Sequence, residues 1–204
     1  MIIAVEGIDG AGKNTLVHAL QARFPATVLS FPQYETSDAA RVARLALYGK
    51  MGDLTDSPYA MAALFALDRA AAREQLVAAA ASPDSLLICD RYVASNAAYT
   101  AARLEDMAAA QWIYHLEFET LGLPIPALQV LLDTPTDIAA SRAVGRAAAD
   151  AARQRDVYER DGGLQDRTLQ AYQALARDQW AGEWIVVPAS TSRELVAEQI
   201  GERI

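Results

Sequence analysis

Glycines at positions 7 and 12 followed by Lys13, in the run Gly7-Ile8-Asp9-Gly10-Ala11-Gly12-Lys13-Asn14-Thr15, have the types and spacing of a G-x-x-x-x-G-K phosphate cradle. Glycine backbone freedom lets several N–H groups converge on one anion. The helix that begins at Lys13 turns its positive dipole end to the same place. Lys13 adds a full charge for the outer phosphates of a nucleoside triphosphate. The alternative is an ordinary strand-to-helix turn. Met1-Ile2-Ile3-Ala4-Val5 before the loop and Leu16-Val17-His18-Ala19-Leu20 after it supply the strand and helix that a cradle requires.

Further along, Asp90-Arg91-Tyr92 directly follows the apolar run Leu86-Leu87-Ile88-Cys89. A carboxylate there can take a metal-bound water or orient the arginine beside it. The arginine can grip a phosphate through two parallel hydrogen bonds. Phe65 and Arg69 share one helical face, where they can stack on a base and reach its carbonyl, or serve as a core aromatic and a surface charge. Asn96 and Tyr99 also share a face. An amide carries both a donor and an acceptor, as a pyrimidine edge requires, although a helix cap and a core tyrosine use the same residue types. Arg142, Arg146, Arg153 and Arg155 surround a glycine- and alanine-rich stretch. It reads as a lid carrying cations to a transferring phosphoryl group, or as a solvated helix face. Glu159 can help hold Mg²⁺ or cap the next helix. His18 and His115 lack metal-ligand spacing, and no Ser-His-Asp set is present.

The elements that position these residues alternate strand and helix. Strands are expected at Ile2 to Val5, Thr27 to Phe31, Ser85 to Asp90, Ala127 to Asp133 and Trp184 to Val187. Helices are expected at Lys13 to Phe24, Asp38 to Tyr48, Pro58 to Ala81, Ser95 to Leu104 and Glu105 to Leu121. Three more follow at Pro135 to Val144, at Val157 to Trp180 with a weak point at Gly162-Gly163, and at Arg193 to Arg203. Ser57-Pro58 is an N-cap followed by proline at the first helical position. Each strand is a continuous apolar run, the mark of a parallel sheet buried on both faces. Right-handed crossovers then place ligands at the carboxyl ends of the strands. The phosphate loop, Phe31-Pro32-Gln33-Tyr34, Asp90-Arg91-Tyr92 and Asp133-Thr134 all stand at such ends.

A chain of 204 residues with 52% hydrophobic residues is sized for one folded α/β domain. Its net charge of −8 argues against a nonspecific nucleic-acid binder. Cys89, the sole cysteine, excludes an internal disulfide and suits a reducing, cytoplasmic compartment. No signal peptide opens the chain, and no apolar run reaches membrane-spanning length.

The motifs together resemble the thymidylate kinases, most of all the actinobacterial, mycobacterial-type enzymes. The resemblance rests on Glu6 to Lys13, Phe31 to Tyr34, Tyr59-Ala60-Met61, Leu64 to Arg69, Asp90 to Tyr99, Gly122-Leu123-Pro124 and Tyr158-Glu159-Arg160-Asp161. It implies a single P-loop NTPase-like α/β domain over 1–204. Such a domain has three layers, a five-stranded parallel sheet with helices on both faces, and a lid at about 144–156. It implies transfer of the ATP γ-phosphoryl group to dTMP, giving dTDP and ADP, with Mg²⁺ as cofactor and a homodimer as the assembly. Lys13, Arg91, Arg146 and Asp9 are then the catalytic set. Gly7, Gly10, Ala11, Gly12, Lys13, Asn14, Thr15, Arg142, Arg146 and Arg153 bind ATP. In the same resemblance Phe65 stacks on thymine, Arg69 reaches its carbonyl and Asn96 meets the base edge. Tyr99 crowds the ribose 2′ position. Tyr34 and Arg91 address the dTMP phosphate, and Phe31 and Tyr158 complete the substrate site. Asp9 and Glu159 are the metal candidates. Asn14 departs from the Ser or Thr usual after the loop lysine, which throws metal binding onto these carboxylates and the phosphates.

Two other activities use a similar loop. A deoxynucleoside kinase needs a carboxylate base at a 5′-hydroxyl, whereas this chain sets arginine and tyrosine around an acceptor phosphate. A regulatory GTPase needs an Asn-Lys-x-Asp guanine reader, which is absent from the sequence.

Overall fold

The computed structural model describes residues 1–82, 85–149, 157–160 and 162–203, and within these all side chains except those of 143–149, 159, 160 and 162. Five strands, β1 (Ile2–Glu6), β2 (Ala26–Ser30), β3 (Leu86–Asp90), β4 (Leu128–Asp133) and β5 (Glu183–Pro188), form one sheet in the order β2-β3-β1-β4-β5. Every pairing is parallel, with Val5 opposite Asp90 and Glu6 opposite Leu131. The three central strands end within three residues of one another in register, and their following loops leave from one edge of the sheet. All five residues of β1 are buried. Successive strand residues point to opposite faces, so both faces of the central strand are covered, as the continuous apolar runs predict.

The helices are α1 (Lys13–Arg23), α2 (Asp38–Leu47), α3 (Pro58–Ala71), α4 (Arg73–Ala81), α5 (Val93–Leu104), α6 (Ala108–Tyr114), α7 (Thr136–Ala149), α8 (Val157–Arg160), α9 (Gly162–Arg177) and α10 (Arg193–Gly201). The Ser57 hydroxyl accepts from Ala60 N at 3.2 Å with Pro58 at the first helical position, the cap expected from the sequence. None of the described helices is long and apolar enough to cross a membrane.

Three helices differ from expectation. The predicted helix Pro58 to Ala81 breaks at Ala72, which turns α4 so that Leu76 enters the main core. Arg73, just past the break, donates from Nε to the carbonyls of Leu121 and Gly122. The predicted helix Glu105 to Leu121 starts later, because Glu105 takes a left-handed conformation (φ 53°) that ends α5, and Asp106 Oδ1 then accepts from Ala108 N. From His115 to Thr120 the same helix widens into a π-helical stretch, with Leu121 N reaching back to Leu116 O at 2.9 Å. The predicted Pro135 to Val144 helix runs on to Ala149. In the first two, tertiary packing overrides uniform alanine-rich helix propensity, which the third follows.

The main core joins β1, β3 and β4 to Leu16 and Leu20 of α1, Ile113 of α6, Tyr172 of α9 and Ile200 of α10. A smaller cluster of Ala43, Ala46, Leu47 and Met61 lies between α2 and α3, with Phe65 and Tyr158 packed against it.

Candidate active site

The loop between β1 and α1 owes its path to glycine. Gly7, Gly10 and Gly12 have φ of 141°, 88° and 98°. Gly10 is the most constrained, because a Cβ there would lie 2.1 Å from Ala139 O on α7. Behind the loop, Ala11 O accepts from Thr134 Oγ1 at the end of β4 and from Arg193 Nη2 at the start of α10. Arg193 loses proton affinity through burial and through the charge of exposed Arg142. Asn14 and Thr15 are exposed on the first turn of α1.

Lys13 folds back into the loop, where Nζ donates to Gly7 O at 3.1 Å and Ile8 O at 2.9 Å. Burial and the neighbouring Arg91 charge bring its pKa down to about 8, against the opposing pull of Asp9, Asp90 and Glu6. A buried ammonium held by only two carbonyls gains strongly when phosphate oxygens arrive.

Arg91 follows β3 in a left-handed conformation (φ 67°), with its N–H bonded to Val5 O at 3.0 Å. Its Nη2 donates to Asp9 Oδ1 at 2.5 Å, and its Nη1 to Gly7 O at 3.0 Å and Ser95 Oγ at 3.2 Å. Burial opposes its charge, but Asp9 and the surrounding tyrosines outweigh it, so the guanidinium stays ionised. For Asp9, burial raises the pKa, yet the charges of Arg91 and Lys13 with the Tyr99 hydrogen bond hold it down to about 2. Tyr99 OH donates to Asp9 Oδ2 at 3.0 Å. Burial and Asp9 push the Tyr99 phenol well up, so it remains a neutral donor.

Two residues supporting this centre received no role in the sequence reading. Glu6, fully buried, accepts from Tyr92 N at 2.7 Å, Ser95 Oγ at 2.6 Å and Tyr172 OH at 2.9 Å. Its position at the end of an apolar strand was the available signal. Asp68, also fully buried, accepts from Gln33 N at 3.1 Å and so pins the loop after β2 to α3. In that loop Phe31 is buried in the main core 6.3 Å from the Tyr92 ring, and Tyr34 lies beneath the Arg44 guanidinium.

A cleft beside the loop is lined by Met61, Phe65, Asn96, Tyr99, Arg103 and Tyr158. Arg103 Nη1 donates to Tyr158 OH at 2.5 Å, and its Nη2 bonds Thr55 O, which ties α5 to α8 and to the turn before α3. The Tyr99 and Tyr158 rings are nearly parallel, with centroids 6.0 Å apart. Arg69, one turn beyond Phe65, is 3% exposed and makes a two-pronged ion pair with Glu117. The structure thus brings Asp9, Lys13, Arg91 and Tyr99 into one bonded group, with Phe65, Asn96 and Tyr158 in the adjoining cleft. The Arg146 side chain, Arg153, the Glu159 side chain and most of the expected 144–156 lid lie outside the described residues.

Among the described residues no three His, Cys, Asp or Glu side chains gather as a metal cage. Mg²⁺ does not require one, since it takes one or two carboxylates together with phosphate oxygens and waters. Both Asp9 oxygens are engaged, whereas Asp90 Oδ1 is buried with no hydrogen-bond partner. An orphaned carboxylate oxygen at the end of β3, close enough for its charge to act on Lys13, fits a hydrated cation beside bound phosphates.

A family model described as thymidylate kinase matches residues 5–200. Thymidylate kinase of Mycobacterium tuberculosis is 51% identical to this chain over 197 residues, covering 93% of this chain and 92% of the relative. A probable thymidylate kinase of Thermococcus onnurineus is 34% identical over 154 residues, 72% of each chain. Thymidylate kinase of Mycoplasma pneumoniae is 30% identical over 152 residues, 72% of this chain and 69% of the relative. A phosphate loop joined through Asp9 to an aromatic and amide cleft, in a chain matched almost end to end, has one family behind it: the chain belongs to the thymidylate kinases.

Proposed function

We propose that this chain transfers the γ-phosphoryl group of ATP to dTMP, giving dTDP and ADP. The observation that carries it is the shared residue Asp9, which lies in the phosphate loop and accepts from Tyr99, a wall of the cleft. Donor and acceptor sites therefore abut. The acceptor is a phosphate monoester, largely ionised near neutrality, so the protein supplies alignment and positive charge rather than a strong base. The loop amides and Lys13 hold the donor phosphates, with Arg142, Arg146 and Arg153 serving the same nucleotide. Arg91 and Tyr34 take the dTMP phosphate, Asp9 keeps Arg91 in place, and Arg146 neutralises charge on the group in transit. Phe31 and Tyr158 close the substrate site. Asp9 and Glu159, with the open Asp90 oxygen, are the groups to hold Mg²⁺, which when bound offsets phosphate charge.

An acceptor panel of thymidine, dTMP, dUMP, dCMP and dGMP with ATP, read by product mass, tests the assignment. dTDP is the expected product. Turnover of another acceptor without dTDP formation overturns it.

The same proposal includes a homodimer. Tyr59 on α3 and Trp112 on α6 meet edge to face at 4.9 Å while 46% and 38% exposed, so they offer an apolar surface for a second copy. A solution mass of twice 22.0 kDa supports it, and a monomer mass overturns it. A cytoplasmic setting is consistent with the buried thiol of Cys89.

A further inference from the structure

Glu117 is fully buried, belongs to no part of the phosphoryl-transfer scheme above, and sits in the π-helical stretch His115–Thr120. Such stretches concentrate at functional sites. Its two oxygens accept three hydrogen bonds. Oε2 takes Arg69 Nε at 2.5 Å, while Oε1 takes Arg69 Nη2 and Asn96 Nδ2, each at 2.7 Å. The same Asn96 nitrogen donates to Ala62 O at 3.0 Å. Amide orientation is often ambiguous, but here the chemistry settles it. A backbone carbonyl and a carboxylate paired with arginine can only accept, so the atom facing them must be nitrogen. Both Nδ2 protons are thereby used, which leaves Oδ1, a pure acceptor, for the cleft that Asn96 lines.

Building on the dTMP assignment above, we propose that Glu117 is the positioning residue that makes this site read thymine rather than cytosine. Thymine carries an N3–H donor beside the O4 acceptor, and cytosine carries the reverse, an N3 acceptor beside an amino donor. An Asn96 amide locked with oxygen toward the base matches N3–H and opposes the cytosine N3 lone pair. Arg69, held by the same carboxylate one turn beyond Phe65 of that cleft, has only donors and, on the dTMP assignment, is the group for O4. A buried ion pair adds little net stability over a well-packed apolar pair, so fold maintenance alone gives a weak account of Glu117. Its placement sets the hydrogen-bond polarity of two neighbouring residues at once.

Glu117→Met keeps the length of the side chain but removes both acceptor oxygens, so neither Asn96 Nδ2 nor Arg69 is held in place. The kcat/KM ratio of dTMP over dCMP is expected to fall by about ten-fold or more, with KM for ATP unchanged. A variant that keeps the parent ratio overturns the proposal. A parent enzyme that fails on dTMP instead overturns the dTMP assignment and this inference with it. A measurement on the parent alone removes dependence on how the variant folds. In nitrogen-15 NMR, the Asn96 side-chain amide, assigned through contacts to Ala62, should show both protons slow to exchange before and after dTMP addition. A proton that exchanges freely and becomes protected only with dTMP would place the nitrogen toward the base and refute the idea.

Discussion

The Tyr99 hydroxyl on α5 donates to Asp9 Oδ2 in the phosphate loop at 3.0 Å, while the other Asp9 oxygen accepts from Arg91 at 2.5 Å. One carboxylate therefore couples the wall of the cleft, the phosphate loop and the residue after β3. Tyr99→Phe breaks only the first link. It should reduce kcat/KM for dTMP by about five-fold, in line with about 1 kcal/mol for one hydrogen bond, and leave KM for ATP nearly unchanged. Steady-state kinetics with each substrate varied checks this.

Asp9 also predicts acid behaviour. Its folded pKa of about 2 lies below its ordinary 3.8, so its pairing stabilises the fold fully above 3.8 and is lost as pH falls through about 2. With Asp9 30% exposed and partly screened, the contribution is about 1–2 kcal/mol. Asp9→Asn should flatten the parent's stability loss between about pH 4 and pH 2, measured by denaturant titration across that range.

Lys13 gives the opposite limb. Its folded pKa of about 8 lies below the ordinary 10.5. Charge on Lys13 therefore penalises the free protein fully below about pH 8, and the penalty is relieved as pH rises from there toward 10.5. ATP phosphates favour the ammonium, so ATP binding at alkaline pH should take up a proton. Calorimetry at pH about 8.5 in buffers of different ionisation enthalpy should show the uptake. Lys13→Met should abolish it and lower kcat by about 10²–10³-fold.

Gly10→Ala places a methyl against the α7 backbone, 2.1 Å from Ala139 O, at a φ of 88°. The loop or α7 must shift, so stability should fall by about 1–3 kcal/mol with a larger loss of ATP affinity. Thermal melting with and without ATP separates the two effects.

Asn96→Ala should weaken dTMP binding by about 1–3 kcal/mol, since the base edge and Glu117 both lose a partner. Arg146→Ala should instead lower turnover far more than dTMP affinity. Binding by fluorescence titration beside single-turnover rates distinguishes the two variants.

The phosphate loop, the strand ends and the Asp90-Arg91 turn were legible in the linear chain because each depends on local chemistry. Glycine spacing dictates loop conformation, and unbroken apolar runs dictate strands buried on both faces. The interruptions at Ala72 and at His115–Thr120 were not legible, since alanine-rich segments favour helix evenly, whereas the weak point at Gly162-Gly163 was. Residue types alone left Asn96 and Arg69 open between structural and base-reading roles. Their shared attachment to Glu117, 21 and 48 residues away, could arise only in the folded chain. Hydrogen-bond direction and pKa depend on which distant groups come within a few ångströms, and that proximity belongs to the tertiary structure.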